Sequence, residues 1–242
     1  EKRNIGRRGF LVTTGGIAAA ALPAGRVWAT PTAAANALSP PESVVKVLYE
    51  SLSPAQKEAI CFAWDFVDPE RGLLRTRVEN NWHVTDQTLD DDFYSDDQRA
   101  MVREIMKGIY SAEWIDRIDR QLSDDSGGWE ANSIAIFGQP GSDKFEFVMT
   151  GRHMTIRCDG NTTEHVAFGG PIFYGHAAEG FNEEPNHPGN VFWPQAQAAN
   201  KLYQMLDGKQ QKQALLSRSP REQASGFRSP SEIPGLPVSD MS

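Results

Sequence analysis

Apolar residues along this chain recur with two periods, and the switches between them predict its elements. Helical spacing is read over residues 42–51 and again over 53–66, where Pro54 suits the first helical turn. Pro69 and Gly72 stop that run. Residues 73–84 then alternate, with Leu74, Thr76, Val78, Asn80 and Trp82 on one face of a half-buried strand. Helical spacing returns over 95–122 through Val102, Ile105, Met106, Ile109, Ile115, Ile118 and Leu122, with a break at Gly108. A turn over 123–128 leads to a short apolar strand, 133–137, and a long alternating one, 144–157. The long strand puts Phe145, Phe147, Met149, His153 and Thr155 on one side and Glu146, Val148, Met154 and Ile156 on the other. Asp159-Gly160 signals a hairpin, with 162–168 as the returning strand. A last helix starts at Pro194 and runs through Leu202, Tyr203 and Leu206. Helices, strand, helix, strands and helix in that order predict an α+β fold, an antiparallel sheet with packed helices in a single domain.

Three helical starts share one signature. Ser53, Ser95 and Asp207 each stand three residues before a glutamine, Gln56, Gln98 and Gln210. This is the capping box, in which each side chain satisfies a backbone amide that the first turn leaves without a partner. The flanking sequences do not match and no period links them. Shared capping chemistry therefore explains the pattern better than an internal repeat.

The N-terminus breaks the pattern. Residues 1–29 hold Lys2, Arg3, Arg7, Arg8 and Arg26, then a short Gly/Ala/Thr-rich apolar stretch, then Val27-Trp28-Ala29 as a cleavage site. Arg7-Arg8 followed by Phe10-Leu11 resembles a twin-arginine export signal. The expected partner is the twin-arginine export machinery, and the expected location is periplasmic or extracellular. Residues 30–41 read as a disordered spacer and 218–242 as a Pro/Ser-rich connection or tail around a domain at 42–217. Because that tail ends on a candidate helix cap, a C-terminal truncation is expected.

Charge narrows the function. The chain carries a formal −8, and the part beyond residue 29 holds 19 basic against 31 acidic residues. That balance argues against a nucleic-acid partner. No stable membrane anchor is expected, since the leader's apolar stretch is too short to span. Two cysteines, Cys61 and Cys158, allow at most one bridge and make a thiolate zinc site a poor fit.

The candidate chemistry is concentrated. Four of the five histidines, His153, His165, His176 and His187, fall within a segment that includes the aromatic, Gly/Pro-rich loop 168–193. Imidazole and carboxylate together suit zinc or another transition metal, so His153, His176 and His187 are candidate ligands, with Glu183 and Glu184 as proton acceptors. His165 ranks lower. A two-residue turn at Asp159-Gly160 points it away from His153, a three-residue turn points it the same way, and the sequence leaves both open. Arg157 is a candidate for holding an anionic substrate, and Tyr174 and Trp193 for lining an aromatic pocket.

The stretches GRHMTIRCDG, AFGGPIFYGH, NHPGNVFWPQ and LDGKQQKQAL together resemble a secreted bacterial family catalogued as domain of unknown function 3500. The resemblance spans about residues 42–216 and is strongest from Gly151 onward. It implies one fold and export, since members often carry twin-arginine leaders. It brings no activity. Some members have two histidines where this chain has Arg152-His153. Two functions fit these residues: a metal-dependent hydrolase or oxidase acting on a small or polymeric substrate, or a non-catalytic extracytoplasmic ligand-binding protein.

Overall fold

Three strands in the middle of the chain form the centre of the fold: β4 (Ser133–Gly138), β5 (Phe145–Gly151) and β6 (Met154–Asp159). The computed structural model describes residues 41–160, 172–175, 187–218 and 234–241, all within the unit formed by Ala35–Ser242. The sheet is completed by β1 (Cys61–Phe62) and β7 (Phe173–Tyr174), in the order β1-β4-β5-β6-β7. Every pairing is antiparallel except β1 with β4, so the sheet is mixed and the class is α+β as expected. A separate two-stranded ribbon joins β2 (Val67–Asp68) to β3 (Gly72–Leu73).

Helices cover one face. Val45 and Leu48 of α1 (Pro41–Ser51), Val102 and Ile105 of α3 (Asp96–Ile109) and Leu122 of α4 (Ile115–Ser126) pack on Ile134, Ile136, Phe147, Met149 and Ile156. Each such fully buried side chain contributes about 1.5–3 kcal/mol. α2 (Pro54–Ile60) stands between α1 and the sheet edge. All three capping boxes form, at Ser53, Ser95 and Asp207, the last opening α6 (Gly208–Ala214). Among the described residues, no helix is long and apolar enough to cross a membrane.

Several expected elements change where tertiary contacts compete with local pattern. The helix expected over 53–66 ends at Ile60, because Cys61–Phe62 leave it to pair with the open edge of β4. The helix expected over 95–122 becomes α3 and α4, separated by Tyr110 and Ser111 rather than broken at Gly108. The strand expected over 73–84 is not one. Beyond Leu73 it makes one tight turn, Leu74–Thr76, and then crosses the second face of the sheet. There Leu74, Trp82 and Val84 bury against Ala135, Phe137 and Val148. A segment lying on a sheet face finds few ladder partners, here one bridge from Asn81 to Arg152, so other polar groups turn to side chains. The Val84 amide donates to Ser133 Oγ (3.0 Å) and Thr150 Oγ1 (2.8 Å), and Trp82 Nε1 donates to Thr155 Oγ1 (2.9 Å).

The largest correction concerns the long strand 144–157. It is a hairpin: Gly151 pairs with Met154, and Arg152-His153 make the two-residue turn. The reversal places Met154 and Ile156 with Phe145 and Phe147 on the helix-covered face, and sends Arg157 to the face of Glu146. The strand returning against β6 is β7, with Met154 opposite Tyr174. The expected return over 162–168, His165 with it, lies outside the described residues. Cys61, Ile136, Phe147 and Cys158 lie opposite one another in one row across four strands. Three strand spacings put the two cysteines about 14 Å apart, so they cannot bridge.

Candidate functional site

The hairpin turn brings the first predicted site residue to α4. His153 takes φ 54°, in the left-handed region. Histidine adopts it more readily than β-branched residues do. The turn is held on both sides, with the His153 amide donating to the Asn80 carbonyl (2.6 Å) and the Gly175 amide donating to the His153 carbonyl (2.9 Å). The imidazole is 7% exposed and meets Asp125, 2% exposed, with Nδ1 at 2.5 Å from Oδ2. Arg152 Nε donates to the other carboxylate oxygen (3.2 Å), and Gln121 Nε2 donates to Oδ2 (3.2 Å). An ionised carboxylate only accepts, so Nδ1 carries a proton, and in the neutral ring the lone pair lies on Nε2. This is the orientation of a general base or of a metal-binding imidazole. The same contacts also pin the hairpin to α4.

Two turns up α4 lies a cavity of about 250 Å³, walled by Tyr110, Trp114, Ile118, Ile156, Tyr174 and Phe192, among others. β7 delivers Tyr174 to it, and the residue before α5 (Trp193–Met205) delivers Phe192. The two rings lie 5.1 Å apart, and Phe192 stacks on Trp114 at 6.4 Å. The Tyr110 hydroxyl is buried and finds no hydrogen-bond partner among the described residues. Burial, reinforced by the neighbouring Tyr174, pushes the Tyr110 phenol well above its ordinary range, so it is a neutral donor.

A polar cleft of about 330 Å³ is lined by the chain neighbours of Phe192, Val191 and Trp193, and by Asp116, Arg117 and Arg120 of α4 and His187. Arg117 lies over the Trp114 ring at 5.1 Å and donates to the Val191 carbonyl (3.4 Å). His187 Nδ1 accepts from the Gly189 amide (3.0 Å), which leaves the neutral ring's proton on Nε2.

The predicted residues thus separate. His153 sits with Asp125, Tyr174 lines the cavity, and His187 and Trp193 line the cleft. His176, Glu183 and Glu184 lie outside the described residues. Among the described residues no three His, Cys, Asp or Glu side chains are grouped as a metal would need. Arg157, read as a substrate arginine, is 2% exposed. It donates to Glu146 (2.8 Å) and to the Arg75 and Arg77 carbonyls, which makes it a core element on the second sheet face. Burial pushes the Glu146 carboxyl up to about 7 despite the attraction of Arg157 and Arg75, and pushes Arg157 down to about 10. Sequence reading missed Asp125, Tyr110, Arg117 and Arg120. The i, i+3 spacing of Arg117 and Arg120 in an acidic chain was the available signal.

The sequence profile of a family described as a protein of unknown function (DUF3500) matches residues 36–242, extending past the 216 expected from the quoted stretches. No curated protein and no solved structure matches the chain.

Proposed function

The chain belongs to the DUF3500 family of unknown function, and we propose that it is exported on its Arg7-Arg8 leader and binds a small, mainly apolar organic molecule in the cavity beside α4. The observation that carries this is a mainly apolar and aromatic lining, broken by Ser111 and Gln195, beside which the Tyr110 hydroxyl is buried with no partner among the described residues. A buried donor left unsatisfied costs about 1–3 kcal/mol. A ligand acceptor that the Tyr110 side chain turns to meet would recover that cost, while the ligand's body gains aromatic contact. A neutral probe, 4-phenylbutyramide, followed by calorimetry tests this. It should bind, and Tyr110→Phe should weaken it about tenfold, the worth of one hydrogen bond. Unchanged affinity in the variant removes the argument. Replacing Arg7 and Arg8 by Lys should block export; normal export would sink that part of the reading.

One observation favours a second reading, a metal-dependent hydrolase or oxidase. Asp125 orients His153 as catalytic or metal-binding histidines are oriented. His176, Glu183 and Glu184 would supply the rest of the centre. Elemental analysis of untagged protein decides it. One equivalent of a transition metal that His153→Ala loses supports an enzyme, and metal-free protein removes the metal reading.

A further inference from the structure

We infer that the molecule taken by the cavity is an organic anion whose acidic group lies in the polar cleft against Arg117, Arg120 and His187. The inference rests on the cavity reading and names its ligand class. Three observations support it. The first is connection. Tyr174, Phe192 and Trp114 form a stack along the cavity wall, and Arg117 lies on the far side of that stack, over Trp114. Val191 and Trp193, the chain neighbours of Phe192, line the cleft. The cavity and the cleft thus lie on either side of Trp114 and Phe192, and the ligand we infer passes over the rim of that layer rather than through it.

The second is electrostatic. The chain has 32 acidic and 24 basic residues, yet this cleft has two arginines and a histidine against Asp116. Neither Arg117 nor Arg120 forms an ion pair with a described residue. Elsewhere the buried and half-buried arginines are matched, as Arg103 is by Asp119 and Arg157 by Glu146. Two exposed guanidinium groups one helical turn apart, neither in an ion pair with a described residue, are placed to share an anion.

The third is orientation. Stacking on Trp114 and the bond to the Val191 carbonyl fix the Arg117 plane before any ligand arrives. The Gly189 amide occupies His187 Nδ1, so the neutral ring offers an N–H from Nε2. These three side chains present donors only, which suits a carboxylate or sulfonate, while Asp116, Asn190 and Gln197 make up the rest of the polar lining.

The test is calorimetry with a matched pair, 4-phenylbutyrate and 4-phenylbutyramide, on wild type and on the Arg117→Gln, Arg120→Gln double variant. Both arginines are solvent-exposed, so the variant should fold. The acid should bind wild type about tenfold more tightly than the amide at low salt. That advantage should shrink in 0.5 M NaCl and vanish in the variant, while amide affinity stays the same. Equal affinities in wild type overturn the anion inference and leave the cavity reading standing. An acid preference that survives in the variant places the anion elsewhere and overturns it too. If neither probe binds, both readings fall.

Discussion

Replacing Glu146 by Gln should flatten the dependence of stability on pH. Glu146 is fully buried on the second sheet face, with Arg157 Nη1 at 2.8 Å from Oε1 and Arg75 at 3.6 Å from Oε2. Two cations do not offset the loss of water, and Asp159 adds repulsion, so the carboxyl is raised from 4.5 to about 7. The sign follows from proton counting. Below pH 4.5 both folded and unfolded chains hold the proton. Between pH 4.5 and 7 the unfolded chain releases it while the folded chain keeps it, so the folded state loses stability as pH rises. Above pH 7 the loss is complete, at about 3 kcal/mol. Arg157 titrates near 10 and stays charged throughout, so it adds no slope in this window. Gln keeps the shape and the acceptor for Arg157 and cannot ionise. Urea unfolding at pH 4.5, 6 and 8, followed by tryptophan fluorescence, should show the variant gaining about 3 kcal/mol on wild type across the series. A difference that stays constant would refute the reasoning. One that falls with pH would show that attraction to Arg157 outweighs desolvation.

Two further outcomes follow from local geometry. A Cβ on Gly138, where φ is 73°, would stand 2.3 Å from the Lys144 carbonyl oxygen, whereas one on Gly127 meets nothing within 4 Å. Gly138→Ala should therefore cost about 3 kcal/mol or more and Gly127→Ala only the left-handed penalty of about 1–2 kcal/mol, both read by urea midpoints. Ser95→Ala removes the acceptor for the Gln98 amide (3.2 Å) and should cost about 1 kcal/mol in thermal unfolding, with the fold unchanged by circular dichroism.

What the sequence showed clearly was chemistry completed within four residues. The caps at Ser53, Ser95 and Asp207 each involve a serine or aspartate and a glutamine on the same turn, so neighbours in sequence were sufficient. The hairpin at Arg152-His153 escaped notice because neither residue is the Gly or Asn that such a turn favours. The reversal shifts the inward set from odd to even positions, and apolar residues on both faces, such as Val148 on the face opposite to Phe147 and Met149, hid the shift. The covering segment from Leu74 to Val84 was misread for a related reason. Its inward residues alternate, but its polar groups, the Val84 amide and the Trp82 indole, are satisfied by Ser133, Thr150 and Thr155, which lie 49 to 73 residues further along the chain. Of the site, the loop aromatics and His187 stood out by composition. Asp125 and Tyr110 did not, because an acid near a helix end and a tyrosine after one are ordinary until the hairpin and β7 meet them.

The sheet is bounded on each side by a strand of two residues, β1 and β7. Its interior strands hold runs such as Phe145–Met149 and Met154–Ile156, rich in the aromatic and branched residues from which fibrils form. An unpaired strand edge is a template for a neighbouring molecule, and the strength of that template grows with its length. Among the described residues each border strand offers two residues of ladder, a short template for another chain. The pair Phe173–Tyr174 thus has a second effect besides placing Tyr174 in the cavity wall. It covers the first two residues of β6, Met154 and Thr155, and substitutions that release it should show first as precipitation rather than as loss of binding.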